Sequence, residues 1–187
     1  MKTFALRAFA TAALLSIGTL SAQAATLNFA GLPFSNPSPL VLSNATLTNL
    51  TGTTVFVGAG AAGAADGFCF ASLSGSCEAD GQILFTLGPV TNLNFDIDGW
   101  NPGDFVAITA FNGVTNLGTL NATANGNLNF AGFGAITRLF FNDTSTGAGV
   151  GYSTFSFTQG DTGVPEPGSL ALVSLALLGA AAMRRVR

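Results

Sequence analysis

Asn92-Leu93-Asn94-Phe95-Asp96-Ile97-Asp98 alternates polar and apolar side chains without a break. A period of two puts Leu93, Phe95 and Ile97 on one face of a β-strand and the polar residues on the other. Ser153-Thr154-Phe155-Ser156-Phe157-Thr158 repeats the pattern over a shorter span. Strands are also expected at Thr26–Ala30, Ala45–Leu50, Thr53–Val57, Gly67–Leu73, Gln82–Leu87, Phe105–Phe111, Leu117–Ala122, Leu128–Phe130 and Thr137–Asn142. Glycine- and asparagine-rich breakers separate them: Asp98-Gly99, Asn101-Pro102-Gly103, Asn112-Gly113 and Asn125-Gly126. Asn112-Gly113 and Asn125-Gly126 are the dipeptides that favour tight hairpin turns.

No interior stretch shows the 3.6-residue period of an amphipathic helix, and no internal repeat stands out. Short strands at near-even spacing predict an all-β domain, an antiparallel β-sandwich of jelly-roll type. The segment Leu32–Pro39 carries Pro33, Pro37 and Pro39 and is expected to be irregular. Gly58–Gly67 is small and flexible, as a surface loop would be. Fifteen of the seventeen phenylalanines lie between residues 25 and 163, enough aromatic area for a core.

Both ends of the 187-residue chain read as address rather than fold. Residues 1–24 have the layout of a secretory signal helix. Lys2 and Arg7 form a basic start, Ala8–Leu20 an apolar run, and Ala22-Gln23-Ala24 a small-residue cleavage site before Ala25. That leaves one sandwich domain over 25–157, a polar linker over 158–163, and a tail over 164–187.

With the ends set aside, Arg138 is the only base and the acids number eight, a formal charge of −7 over residues 25–163. Such a surface repels phosphate backbones, so nucleic-acid partners are excluded.

The tail begins Val164-Pro165-Glu166-Pro167-Gly168-Ser169 and closes with Arg184-Arg185-Val186-Arg187. Pro165 and Pro167 lack backbone donors and keep the chain around Glu166 extended. Ser169 can cap a helix over Leu170–Met183, in which Ser174 is the only polar side chain. Such a helix is roughly 21 Å long against a hydrocarbon core of about 30 Å, and snorkelling arginines extend its reach. Three arginines behind an apolar run at the chain's end are a positive-inside anchor, so 170–183 is expected to be a single transmembrane helix.

These three features in this order resemble the PEP-CTERM sorting signal of Gram-negative bacteria. The resemblance covers only Val164–Arg187, and it rests on Val164, Pro165, Glu166, Pro167, Arg184, Arg185 and Arg187. It implies an exported protein, an exosortase-type membrane enzyme as partner, a transient inner-membrane anchor through the tail, and a final place at the cell surface or in an extracellular matrix with exopolysaccharide. Bearers of the signal share a route, and no chemistry comes with it.

The candidates for chemistry are few. The chain has no histidine, which removes Ser-His-Asp and Cys-His catalysis and the usual zinc sites. Cys69 and Cys77, the only thiols, are expected to form a disulfide in an oxidising compartment. Asp96 and Asp98 should share one strand face, roughly 6.6 Å apart. With Asp104 they are a candidate Ca²⁺ site beside a Gly/Pro turn, although the spacing is not that of an EF-hand. The bland alternative is solvated acids on an outer face.

The same pair could serve as the two carboxylates of a polysaccharide hydrolase. Trp100 and Tyr152 are candidate sugar-stacking residues, and a lone Trp at a strand end packs more often against the core. Arg138 is expected to pair with an acid across the sheet. Asn44, Asn49, Asn121 and Asn142 head N-x-T sequons. The expected function is a non-catalytic surface or matrix protein needing no cofactor, with a lectin-like module and a carboxylate-dependent hydrolase as rivals.

Overall fold

The structure, a computed structural model, describes residues 23–59 and 66–160. Residues 1–22 of the expected signal segment, most of the Gly58–Gly67 loop, and everything from 161 onward lie outside the described residues. The expected helix over 170–183 is therefore among the segments left out.

Among the described residues thirteen strands follow one another: β1 (Gln23–Ala25), β2 (Ser35–Pro37), β3 (Leu40–Val41), β4 (Ala45–Asn49), β5 (Thr54–Val57), β6 (Phe68–Ala71), β7 (Gly81–Phe85), β8 (Val90–Asp98), β9 (Val106–Asn112), β10 (Thr115–Ala122), β11 (Gly126–Asn129), β12 (Arg138–Asp143) and β13 (Gly151–Gln159). One 3₁₀ turn, Ala131–Phe133, interrupts them. A seven-stranded sheet has the order β11-β8-β13-β6-β5-β2, with β1 added alongside β13. A six-stranded sheet has the order β10-β9-β12-β7-β4-β3. Every strand pair is antiparallel.

From β6 to β13 the chain interleaves 11-8-13-6 in one sheet with 10-9-12-7 in the other, the strand order of two Greek keys wrapped into a jelly roll. Strands β2 to β5 then widen both sheets on the same side.

The expected alternation is present where it reads most clearly. Leu93, Phe95 and Ile97 on β8 are wholly buried, and Asn94, Asp96 and Asp98 face outward. Phe155 and Phe157 on β13 are buried in the same way. Between the two facing sheets, Tyr152 sits among the rings of Phe141 at 4.7 Å, Phe68 at 5.4 Å, and Phe70 and Phe95 at 6.3 Å. Phe95 stacks on Phe155 at 4.4 Å with the planes 7° apart. These offset and tilted pairs add to the area they bury.

Simple alternation fails at two places on the central strands. On β8 the inward residues step from Val90 to Leu93, and on β13 from Tyr152 to Phe155. Each is a step of three where a flat strand would take two. The ladder between the strands gains a residue on β13 between Ser153 and Ser156, then recovers it on β8 between Thr91 and Asn94. These are two bulges on opposite strands, and their register shifts cancel. The extra residues Asn92 and Thr154 take left-handed backbone, φ +52° and +54°. Asparagine tolerates that conformation, whereas β-branched threonine is strained in it. The pair lets both strands keep an aromatic or aliphatic side chain in the core on either side of the bulge.

Several local expectations need correcting. The residues expected as a strand at Thr26–Ala30 form none; the strand lies earlier, at β1, and Leu27 and Phe29 reach the core from irregular backbone. The proline-rich stretch contains β2, paired with β5 through Ser35↔Phe56, Asn36↔Val55 and Pro37↔Thr54. Proline is tolerated there because β2 is an edge strand, with one side free of ladder partners. Asn112-Gly113 does join a hairpin: Thr115 pairs with Asn112, and Gly113 takes φ +57°. Asn125-Gly126 does not, because β10 and β11 belong to different sheets and the turn carries the chain across the sandwich. At the far end β13 continues to Gln159, so Thr158 and Gln159 are ladder residues rather than linker.

Asn49 pins the two sheets together. It is the last residue of β4, it is buried, and its Nδ2 donates to the carbonyls of Thr54 and Ala71, each at 2.7 Å. Its Oδ1 accepts from the Gly52 amide at 2.6 Å. Asn44 is likewise buried, with Nδ2 donating to the Thr26 carbonyl at 2.9 Å. These two sequon asparagines are structural, whereas Asn121 and Asn142 are exposed.

Candidate functional site

The disulfide is formed. Cys69 on β6 is wholly buried and bonded to Cys77, their Cα atoms 5.4 Å apart. The loop it closes is stitched onto the entry to β13: the Cys77 amide donates to the Ala148 carbonyl at 2.8 Å, and the Val150 amide donates to the Cys77 carbonyl at 3.1 Å. Ser72 and Ser74 both donate to Glu78 Oε1, at 3.2 Å, within the same loop. Gly149 makes this seam fit. It has φ +73°, and a Cβ at this position would overlap the Cys77 carbonyl.

Asp96 and Asp98 share the outer face of β8, as the alternation predicts, and each is engaged within the domain. Asn127 Nδ2 donates to Asp96 Oδ1 at 2.9 Å, and the Ser153 hydroxyl donates to Asp98 Oδ2. Asp104 belongs to a different environment. It is buried, and its two carboxylate oxygens accept from the amides of Asn101, at 2.8 Å, and Thr146, at 3.1 Å. The chain needs Asp104 to close the Asn101–Asp104 turn, which takes it away from the other two. Among the described residues, no three His, Cys, Asp or Glu side chains stand close enough together to hold a metal ion. The three aspartates do not converge into the pocket that their sequence spacing suggested.

Trp100 is half-buried against the core. Its indole N–H donates to the Asp104 carbonyl at 2.9 Å, and its amide donates to Asn125 Oδ1 at 2.7 Å. The side chain therefore spends its polar handle on the same turn. Tyr152, the second candidate for sugar stacking, is at the centre of the core and reaches no surface.

Two arrangements were not anticipated. The first is Asp143, buried at the end of β12. Its Oδ1 accepts from the Ser145 amide at 2.8 Å, and its Oδ2 from the Tyr152 hydroxyl at 3.4 Å. Its own amide donates to Asp80 Oδ1 at 2.9 Å. Desolvation pushes the Asp143 carboxyl up to about 6, against the pull of its Ser145 and Tyr152 hydrogen bonds. Burial, and then the Asp143 charge, hold the Tyr152 phenol well above its ordinary range. A raised carboxyl is what a general acid needs, but this one faces a core tyrosine. Sequence gave no cue, since Asp143 follows directly on the Leu139–Phe141 core pattern and looks like a strand end.

The second is Arg138. Among the described residues no acid meets it across the sheet, contrary to expectation. Its guanidinium lies 4.2 Å from the centre of the Phe111 ring, on the outer face of the six-stranded sheet. Phe111 is its register partner on β9 and Leu84 its partner on β7, so the ladder itself places a ring where a carboxylate was expected. Among the described residues Arg138 makes no ion pair. A cleft of about 440 Å³ opens elsewhere, lined by Thr26–Ala30, Asp66 and Thr154–Ser156 beside the β13 bulge.

The remaining signal is in the tail. A family described as the PEP-CTERM protein-sorting motif matches residues 163–186. The tail is a PEP-CTERM sorting motif. It accounts for 24 of the 187 residues, a C-terminal segment only, and the motif implies processing by an exosortase-type membrane enzyme and export with membrane-associated sorting. No curated protein matches the chain, and no solved structure does.

Proposed function

We propose that this protein is an exported, non-catalytic component of a bacterial cell surface or extracellular matrix, delivered through its PEP-CTERM tail and associated there with exopolysaccharide. The observation that carries the reading is the sorting motif at residues 163–186. The signal-like residues 1–24 supply the route to it, since a sorting signal of this kind acts on a chain that has entered the inner membrane.

Three features of the domain support a binding or structural role over a hydrolytic one. Asp96 and Asp98 are held by Asn127 and Ser153, Asp104 is buried in a turn and Asp143 at the end of β12, and Tyr152 and Trp100 are used in packing. Surfaces rich in Asn, Thr and Ser with few charges suit a protein that lives among hydrated glycans.

Fractionation of cells with and without the sorting enzyme, with intact-mass analysis of each fraction, tests the reading. A shortened mass in the surface or matrix fraction is expected only where the enzyme is present. Full-length protein retained in the inner membrane of both strains would overturn it.

A further inference from the structure

We propose that the cleft where the seven-stranded sheet splits, between residues 26–30 and the β13 bulge, binds an uncharged sugar unit of a matrix polysaccharide. The inference rests on the matrix reading above and names a site that would serve it.

The cleft exists because β13 loses its neighbours over a short stretch. On one side β8 pairs with Ser153 and next with Ser156. On the other side β6 reaches only Tyr152, and β1 begins at Phe157. Thr154 and Phe155 therefore have no ladder partner on either side. Residues 26–30 keep the alternation of a strand, with Leu27 and Phe29 buried and Thr26, Asn28 and Ala30 exposed, without pairing to β13. The cleft between them has a volume of about 440 Å³. Small-molecule sites fall in the range of about 300–1,000 Å³.

Both walls are held from behind. Phe29 packs on Phe68 at 5.4 Å, Asn44 Nδ2 donates to the Thr26 carbonyl at 2.9 Å, and Phe155 stacks on Phe95. Asp66 enters from the β5–β6 hairpin, next to Gly67, whose carbonyl accepts from the Gly58 amide at 2.7 Å. A site fixed in this way costs little ordering when a ligand arrives.

Thr154 marks the split as more than a packing defect. It lines the cleft, it is exposed, and it holds a β-branched side chain at φ +54°. The compensating bulge on β8 meets the same backbone demand with asparagine, Asn92, which lines no part of the cleft. The strained choice is thus made at the bulge that faces the cavity, and strain of this kind clusters at ligand sites.

The lining decides the class of ligand. Hydroxyls of Thr26, Thr154 and Ser156 can donate or accept, and Asp66 can only accept. Asn28 Oδ1 is spent on the Ala30 amide at 2.9 Å, so its Nδ2 is the group left to donate. Leu27, Phe29 and Phe155 supply apolar surface between these groups. No base lines the cleft, so Asp66 and the charge of −7 over residues 25–163 disfavour phosphates and carboxylates. One carboxylate is a poor cage for Ca²⁺, and an exposed ion pair gives a cationic ligand little. A pyranose fits the inventory: a vicinal diol donates to Asp66, other hydroxyls meet Asn28 and the Thr and Ser groups, and the C–H face meets the apolar residues.

The test is a titration of the full chain in detergent micelles with oligosaccharides released from the producing strain's own exopolysaccharide and separated by charge. Backbone amide shifts read the location. The neutral fraction is expected to bind, with shifts at residues 26–30, 66 and 154–156 and little dependence on salt. Asp66→Ala should weaken binding about tenfold, and Ser156→Ala about threefold, as befits hydrogen bonds to a charged and to a neutral group. Thr154→Gly tests the meaning of the strain, because glycine takes this backbone freely. Its melting temperature should hold or rise while binding falls about threefold. No binding of the neutral fraction, binding confined to the acidic or basic fraction, or shifts elsewhere would overturn the proposal. So would binding left intact in Asp66→Ala or in Thr154→Gly.

Co-sedimentation with the native matrix keeps the two readings apart. Retention of wild type and Asp66→Ala alike would sink this inference and leave matrix association standing. Retention of neither would sink matrix association itself. Loss of Asp66→Ala alone would support both.

Discussion

The two outer faces of the sandwich are built by different means. The six-stranded sheet presents a ladder whose register shifts once, between Asn116 and Gly118 on β10; in it Thr109 meets Thr119 through a 2.8 Å hydroxyl contact and Arg138 lies on Phe111. The seven-stranded sheet is fastened at many points: a disulfide loop sewn to β13, Asp98 held by Ser153, Asp96 held by Asn127, and two compensating bulges. The difference teaches that the fold's specific, non-repeating constraints are concentrated on one side. The other side carries fewer of them, and substitution should distinguish the two faces at once.

Gly149→Ala should be the most damaging single change on the fastened side. The added Cβ meets the Cys77 carbonyl, and alanine dislikes the backbone conformation there, so about 3 kcal/mol should be lost. Denaturant unfolding of the domain would read this as a fall in midpoint at unchanged slope. A loss under about 0.5 kcal/mol would mean that the seam is slack. The matching change on the six-stranded sheet, Arg138→Gln, should cost no more than about 1 kcal/mol, the value of one exposed cation–π contact.

Opening the disulfide should come next. Replacing Cys69 and Cys77 together by serine releases a loop of eight positions, and about 2–3 kcal/mol of stability should go with it under the chain-entropy account. Thiol labelling of the unreduced, denatured wild type should find no free sulfhydryl. Labelling of both cysteines would contradict the bond.

The buried carboxyl of Asp143 should give a smaller effect that depends on pH. Its folded value of about 6 lies above the ordinary 3.8, so between these values the native state holds more protons than the unfolded chain. The contribution of this group is therefore most favourable below about pH 4 and is lost as pH rises to about 6. In Asp143→Asn the amide oxygen can still accept from Tyr152, and that decline should disappear. Melting temperatures of wild type and variant across this range should diverge as pH rises, with wild type falling relative to the variant. Parallel curves would show that Asp143 is better solvated than its position implies.

The same contrast explains what could be read in advance. Alternation from Leu93 to Ile97 located the strand that the core is built around, because a strand buried on one face writes its period directly into the residue types. The bulges left no such mark. Thr91-Asn92 and Ser153-Thr154 look like ordinary outward residues, and only pairing across β8 and β13 shows that one extra residue on each strand resets the phase. Turn chemistry was legible but its destination was not: Asn112-Gly113 and Asn125-Gly126 both bend the chain, and whether the next strand joins the same sheet depends on distant partners.

The candidate site shows the same limit. Asp96 and Asp98 were placed correctly on one face by local spacing. Asp104 was grouped with them by sequence proximity alone, and the turn it closes draws it inside. A lone arginine on a strand suggests an acidic neighbour, while the true neighbour of Arg138, Phe111, lies 27 positions earlier and is reached only through the β9–β12 register. Cysteine pairing, by contrast, was settled by having two thiols and no third. The sorting motif was legible because it works as a linear signal, in which order along the chain is the information.

If the PEP-CTERM tail sets location and nothing else, the sandwich must fold without it. A chain ending at Gly163, produced in a strain that has the sorting enzyme, tests this most directly. Its unfolding curve and its distribution between membrane, surface and medium would be compared with those of the full chain. The account predicts an unchanged unfolding transition for the domain together with loss of membrane-associated sorting. An unfolded truncated chain, or a folded one that still reaches the location of the full-length protein, would contradict it.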